Sequence, residues 1–255
     1  QGSAAAVMVL NLASLWKQEA RTAKRGQREA GGFSARWREL MALPQMRRFL
    51  WTVGLGSLAF SMQDIVLEPY GAEILGLDVG STSALTALGA GGSLLAFALS
   101  ARWLTRGWHA CRVASLGVVL GLPAFALVIF AAPLQSALMF RAGVLLIGFG
   151  SGLFAVGMLV TAMSFDNRRL SGLVLGTWGA VQATATGAAM ALGGALRDGV
   201  ASLAQSGALG EVLNSPVTGY SVVYHVEIYL LFVVLIALGP LLRRSRDAAQ
   251  TPPPP

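Results

Sequence analysis

Charge is scarce in these 255 residues: Asp, Glu, Lys and Arg together make up 12%, against 55% hydrophobic residues. With a mean hydropathy of +0.62, so little charge excludes an ordinary soluble domain and points to an integral membrane protein. Cysteine is almost missing, and the lone Cys111 excludes an internal disulfide and any cysteine-cluster metal site. The chain also lacks a glycine-rich phosphate loop, a histidine cluster and a Ser/His/Asp arrangement that membrane spans would bring together, so it is not expected to be an enzyme. No basic residue precedes the first apolar run, "QGSAAAVMVLNLASLW", as one would in a signal peptide. Residues 1–15 make only about 22 Å of helix, short of a hydrocarbon core of about 30 Å, and are expected to be the end of a truncated transmembrane helix.

Six further apolar stretches are long enough to span: Arg48 to Leu67, Thr82 to Leu104, Val113 to Ala132, Ala137 to Met163, Ser171 to Leu196 and Ser221 to Leu242. Irregular backbone cannot face lipid, so the expected class is an all-α membrane bundle. The domain reading is a helix end at 1–15, a basic linker at 16–47, a six-helix bundle at 48–242 and a disordered tail at 243–255 ending in "TPPPP".

The basic residues fall in alternate connections. The linker through Arg48, the Arg102 to Arg112 gap, Arg168 with Arg169, and Arg243, Arg244 and Arg246 hold 17 of the 19 Lys and Arg; only Arg141 and Arg197 lie elsewhere. By the positive-inside rule that side is cytoplasmic, as is the carboxy terminus. This placement also turns the net charge of +7 into a topology signal rather than a nucleic-acid footprint. Trp16, Trp51, Trp103 and Trp108 sit near the same boundary, where indoles favour the headgroup level. In the linker, Phe33, Trp37, Leu40 and Met41 recur at helical spacing, as in a short interfacial helix.

Small residues repeat every four positions at Gly117 and Gly121, Gly148 and Gly152, Gly172 and Gly176, and Ala183 and Gly187. Such spacing allows close helix approach and carries no functional specificity.

Polar residues inside the spans are the candidate site. Asp64 lies 16 residues beyond Arg48 and Glu227 lies 16 before Arg243, which puts both about 24 Å from the cytoplasmic side on different helices. An ionised group at that depth is costly unless it is paired, protonated or beside a water-filled cavity. Arg141 is the basic residue available there, so it pairs with Asp64 or Glu227 as a structural fastening, or the carboxylates form a ligand or proton site, or these groups simply meet solvent. Glu68 falls at the wet outer boundary, with Asp64 inside the bundle. Pro69 and Gly71 are expected to end or unwind the helix at Glu68-Pro-Tyr-Gly. Trp178, Gln182 and Thr186 share a helical face, suited to interhelical hydrogen bonds or to a polar ligand. His225, beside Glu227, offers either a structural hydrogen bond or a ligand for the magnesium of a chlorin.

"FSMQDIVLEPYGAEILGL", "FRAGVLLIGFGSGLFAVG", "TWGAVQATATG" and "LNSPVTGYSVVYHVEIYLLF" resemble the carboxy-terminal half of the PucC/LhaA proteins, the bacteriochlorophyll-delivery branch of the major facilitator superfamily. The resemblance runs from about Leu10 to Arg246. It implies a parent with twelve spans in two halves, of which this chain holds the second half and the end of the sixth helix. In "SARWLTRGWHACR" the facilitator signature keeps Arg106 and Gly107 but lacks its usual acidic residue. Members assist the assembly of light-harvesting antenna complexes, so the resemblance implies a photosynthetic inner membrane and bacteriochlorophyll as cargo. The implied partners are membrane lipid, the parent's amino-terminal half, antenna polypeptides and pigment-synthesis enzymes. It also implies that Asp64, Glu68, Gln182, His225 and Glu227 contact pigment or partner. The alternative is a proton-coupled secondary transporter in which Asp64 or Glu227 titrates.

Overall fold

The computed structural model describes residues 33–43, 45–165 and 170–250, the side chains of 243–250 excepted. The expected helix end at 1–15, the linker up to residue 32, Arg168, Arg169 and residues 251–255 lie outside the described residues. All regular structure among the described residues is helical. The helices are α1 (Phe33–Ala42), α2 (Met46–Ser61), α3 (Leu67–Glu73), α4 (Val79–Thr105), α5 (Ala110–Ala131), α6 (Ala137–Met163), α7 (Ser171–Gln205) and α8 (Val217–Gln250), with 3-10 turns at Met62–Ile65 and Glu211–Leu213. The described residues divide between Glu39 and Leu40 into two compact units. In the first, Phe33 stacks on Trp37 with ring centroids 6.1 Å apart, and both are exposed.

Five helical segments are long and apolar enough to cross a membrane: Met46–Glu73, Val79–Thr105, Ala110–Ala131, Ala137–Met163 and Val217–Leu242. Their length and composition make the chain a multi-pass membrane protein. The sixth expected span forms α7, a 35-residue helix, but it is not among the five. Its Gly, Ala, Thr and Gln content, with Arg197 and Asp198 near its end, holds its hydropathy down.

Within the second unit, α6 packs between α4 and α5, while α2, α7 and α8 pack against one another and α8 also meets α5. Glycine makes the first set of contacts possible. A Cβ on Gly148 would collide with the carbonyl oxygen of Gly89 on α4, and one on Gly117 of α5 with the carbonyl oxygen of Gly150 on α6. Backbones that close gain dispersion contacts along their whole length, which lipid-solvated helices need because burial from lipid contributes little.

Aromatic rings join α3 to α6 and α8. Tyr70 lies 5.2 Å from Phe140, 5.4 Å from Tyr220 and 5.5 Å from Tyr224, centroid to centroid, and its hydroxyl donates to the Val128 carbonyl at 3.0 Å. That bond satisfies the buried phenol and ties α3 to α5.

Caps fix where two helices begin. The Asp78 carboxylate accepts from the Gly80 N–H at 3.1 Å ahead of α4, and its bonds with Ser81 hold it below the usual carboxylate range. Ser136 accepts from the Met139 N–H ahead of α6. At the other end, α8 continues through Gln250. Residues 243–250, expected within a disordered tail, are therefore helical: "RRSRDAAQ" contains no glycine or proline to stop the helix.

Candidate functional site

The first span is interrupted, though not at Glu68-Pro-Tyr-Gly as expected. The break is the 3-10 turn Met62–Ile65, and Pro69 sits inside the first turn of α3. Proline lacks a backbone donor and its ring collides with the carbonyl four residues earlier, here that of Ile65, so the damage falls upstream of the proline. In the first turn of the next helix its missing N–H leaves nothing unsatisfied. Gly71 is buried in α3, where a Cβ would lie 3.1 Å from the Phe140 ring.

A buried carboxylate repairs the break. The Gln63 N–H donates to Glu227 Oε1 on α8 at 2.6 Å, and Glu227 is fully buried. The Gln63 side chain in turn donates through Nε2 to Asp64 Oδ1. Two oxygens in this cluster, Gln63 Oε1 and Glu227 Oε2, are buried without a hydrogen-bond partner among the described residues. α7 closes on the same turn, because Gly193 brings its backbone against the Met62 carbonyl.

Asp64 and Glu227 thus converge on Gln63 from two helices. Their burial differs from expectation, since Glu227 is inside the bundle and Asp64 is exposed. The reason is the 3-10 turn, whose three residues per turn rotate Asp64 off the buried face that Gln63 occupies. Asp64 and Glu68 both line a cavity of about 310 Å³ bounded by this turn, α4 and α6. Glu68 accepts from the Thr86 hydroxyl of α4 at 2.7 Å.

Arg141 is placed elsewhere. It is exposed and lines a separate cavity with Asp78 and Ser81, and no ion pair joins it to Asp64 or Glu227 among the described residues. The cation that joins helix ends is Arg197, one of the two basic residues outside the alternate basic connections. It pairs with Glu73 at 2.9 Å and with Asp198 at 2.8 Å, and lies over the Tyr220 ring with 4.6 Å to the centroid. The Tyr220 hydroxyl donates to Glu73 at 2.6 Å, so α3, α7 and α8 meet in one polar knot.

Gln182 and Thr186 are half-buried on α7, 11 residues and roughly 16 Å along the helix from Gly193 in the case of Gln182. They do not line the cavity of Asp64 and Glu68. The neighbouring Trp178 Nε1 is buried without a partner among the described residues.

His225 and Glu227 do not form a pair. Two residues apart on a helix, they point to opposite sides, and His225 is exposed while Glu227 is buried. His225 Nδ1 lies 2.7 Å from the Ser221 carbonyl oxygen. A carbonyl only accepts, so Nδ1 is the donor in this contact, and in the neutral ring Nε2 is then the acceptor nitrogen. Tyr229, Phe232 and Ile236 follow on exposed positions of the same helix.

Among proteins compared by sequence, the chain is 49% identical over 246 residues to an uncharacterized protein in the puhA-bchM intergenic region of Rhodobacter capsulatus, covering 95% of this chain and 51% of that protein. It is 45% identical over 205 residues to Protein PucC of Rhodovulum sulfidophilum, covering 78% of this chain and 45% of that one. It is 30% identical over 232 residues to the Bacteriochlorophyll synthase 44.5 kDa chain of Rhodobacter capsulatus, covering 84% and 49% respectively. The chain therefore spans about half the length of these relatives. No solved structure matches it. A family model described as PUCC protein matches residues 1–246; with nearly every described helix inside that match, the chain belongs to the PUCC protein family.

Proposed function

We propose that this chain is the carboxy-terminal half of a twelve-span protein of major-facilitator type that assists the assembly of light-harvesting antenna complexes. The whole protein delivers bacteriochlorophyll to antenna polypeptides or shepherds those polypeptides, and it is not an enzyme. The observation that carries this reading is the PUCC family match over residues 1–246. The name of one relative, Bacteriochlorophyll synthase 44.5 kDa chain, adds the pigment. The half-length coverage of the relatives supports an amino-terminal half as the first partner, with membrane lipid, antenna polypeptides and pigment-synthesis enzymes as the others. The excess of Lys and Arg in alternate connections supports a carboxy terminus on the cytoplasmic face of the inner membrane.

The residues fit a chlorin as cargo. His225 has Nδ1 held by the Ser221 carbonyl, which orients the ring and leaves Nε2 as a ligand for magnesium. The exposed Tyr229, Phe232 and Ile236 offer an apolar face beside it. Asp64, Glu68 and Gln182 are proposed as partner contacts.

A second reading, proton-coupled transport, is favoured by one observation: the fully buried Glu227 reaches Asp64 through Gln63. Purifying the full-length protein from phototrophically grown cells separates the two. Stoichiometric near-infrared absorption, with antenna polypeptides or pigment-synthesis enzymes co-purifying, is expected, and His225→Leu should lose the pigment while remaining monodisperse. A colourless protein without such partners would reject the assembly reading, and solute uptake driven by a proton gradient and abolished by Asp64→Asn would replace it.

A further inference from the structure

The turn between α4 and α5 is closed tightly. The Trp108 N–H donates to the Trp103 carbonyl at 3.1 Å and the Gly107 N–H to the Leu104 carbonyl at 3.0 Å. Gly107 adopts a φ of 84°, the left-handed conformation that lets a helix end in this pattern. The rings of Trp103 and Trp108 stack across the turn, 5.0 Å between centroids and 13° between planes. Trp103 packs inward against Ala96, Val113 and Leu153, so the turn is held from within, while Trp108 stays 45% exposed.

Charge on this turn has one sign. Arg102, Arg106 and Arg112 are exposed, and none of them pairs with a carboxylate among the described residues, whereas Arg197 is engaged by Glu73 and Asp198. No Asp or Glu occurs from Val79 to Phe165, so α4, α5 and α6 supply no acidic partner. Leading up to the arginines is an apolar strip. Leu94, Phe97, Ala98, Ala101, Arg102 and Thr105 recur at the spacing of a single helix face, and all six are exposed. α4 is also the least buried of the five spans. Its exposed face is therefore apolar along its length and cationic at its end.

We propose that this end of α4 binds an anionic phospholipid, with an acyl chain along Leu94 and Phe97 and the phosphate held by Arg102 and Arg106. Both parts of such a molecule find a complement here. From Arg102 to Leu94 is about 12 Å along the helix, within the depth of one leaflet, about half of a 30 Å hydrocarbon core. Arg102 and Arg106 stand one turn apart, and guanidinium groups grip phosphate oxygens through paired N–H donors. Trp108 sits at the headgroup level, where indoles are favoured. A head that carries its own cation would bring it among three arginines with no carboxylate to receive it, so a net negative head is preferred. The inference requires that the chain span a membrane and is independent of the proposed pigment role.

Full-length protein in mild detergent would be titrated with phosphatidylglycerol and with phosphatidylcholine of the same acyl chains, and the retained lipid read by native mass spectrometry. Saturable retention of phosphatidylglycerol is expected, with phosphatidylcholine bound about tenfold more weakly. Arg102→Gln and Arg106→Gln should each weaken phosphatidylglycerol about fivefold, the scale of one arginine at a membrane surface. Arg47→Gln, which removes an exposed arginine of α2, should leave it unchanged. Glycerol 3-phosphate, the head without its chains, should not displace the lipid. The proposal is overturned if phosphatidylglycerol is not retained saturably, if the two lipids bind alike, or if Arg102→Gln and Arg106→Gln bind like the parent protein. It is equally overturned if Arg47→Gln weakens binding as much, which would reveal diffuse surface charge, or if glycerol 3-phosphate competes, which would reveal a site for free phosphate.

Discussion

α6 and α7 are both rich in glycine, and they use it in opposite ways. On α6, Gly148 and Gly152 meet the backbone or side chains of α4, and Gly150 and Gly157 meet α5. On α7, Gly172, Gly176, Gly179 and Gly187 have nothing within 4 Å of where a Cβ would stand. The four-residue spacing of small residues is the same in both. It therefore reports that a backbone is able to come close, and says nothing of whether one does. α6 is central because glycine faces lie on two of its sides, whereas α7 keeps its close approach for Gly193 at the Met62 carbonyl.

The contrast is open to attack by substitution. Gly148→Val should have the largest effect, since its side chain would enter the space of the Gly89 carbonyl; a loss of about 3 kcal/mol or more is expected, read as failure to recover monodisperse protein in mild detergent. Glu227→Leu should follow, at about 1–3 kcal/mol, because it strands the Gln63 N–H. Glu227→Gln keeps an acceptor there and should cost less, and denaturant unfolding in detergent would order the two. Arg197→Met should cost at most about 1 kcal/mol, because the side chains of Arg197 and Glu73 are 28% and 51% exposed. Gly187→Ala should be neutral or stabilise by up to about 1 kcal/mol, as expected for alanine replacing glycine on an open helix face. Destabilisation by Gly187→Ala in the full-length protein would show that the face is covered there, and the contrast with α6 would narrow.

Relative level along the helices was legible in the sequence, and direction was not. Counting 1.5 Å per residue from the flanking arginines puts Asp64 and Glu227 at one level, and both reach Gln63. Which side of its helix each residue occupies depends on the crossing of neighbours and on the 3-10 turn, which no count along the chain records. Hence Asp64 is expected in the interior and is exposed, and Arg141, one candidate partner for Asp64 or Glu227, stands apart from them while Arg197 pairs with Glu73 and Asp198. The displaced break has a different origin. Pro69 was a visible signal, but its steric effect acts four residues upstream, and reading it at its own position put the break too late. The separation of His225 from Glu227 was legible, since two residues on a helix differ by about 200°. The cavity beside Asp64 and Glu68 was not, because it depends on how α4 and α6 close around the 3-10 turn.

The bond between Gln63 and Glu227 joins groups 164 residues apart in the chain. During synthesis at roughly 5–20 residues per second, the acceptor for the Gln63 N–H is made roughly 10–30 s after the donor. The first described span therefore enters the bilayer with a defect that only the last can mend. Until then it must keep that stretch near water, the translocation machinery or a neighbouring helix, so the order of insertion is written into where the carboxylate sits.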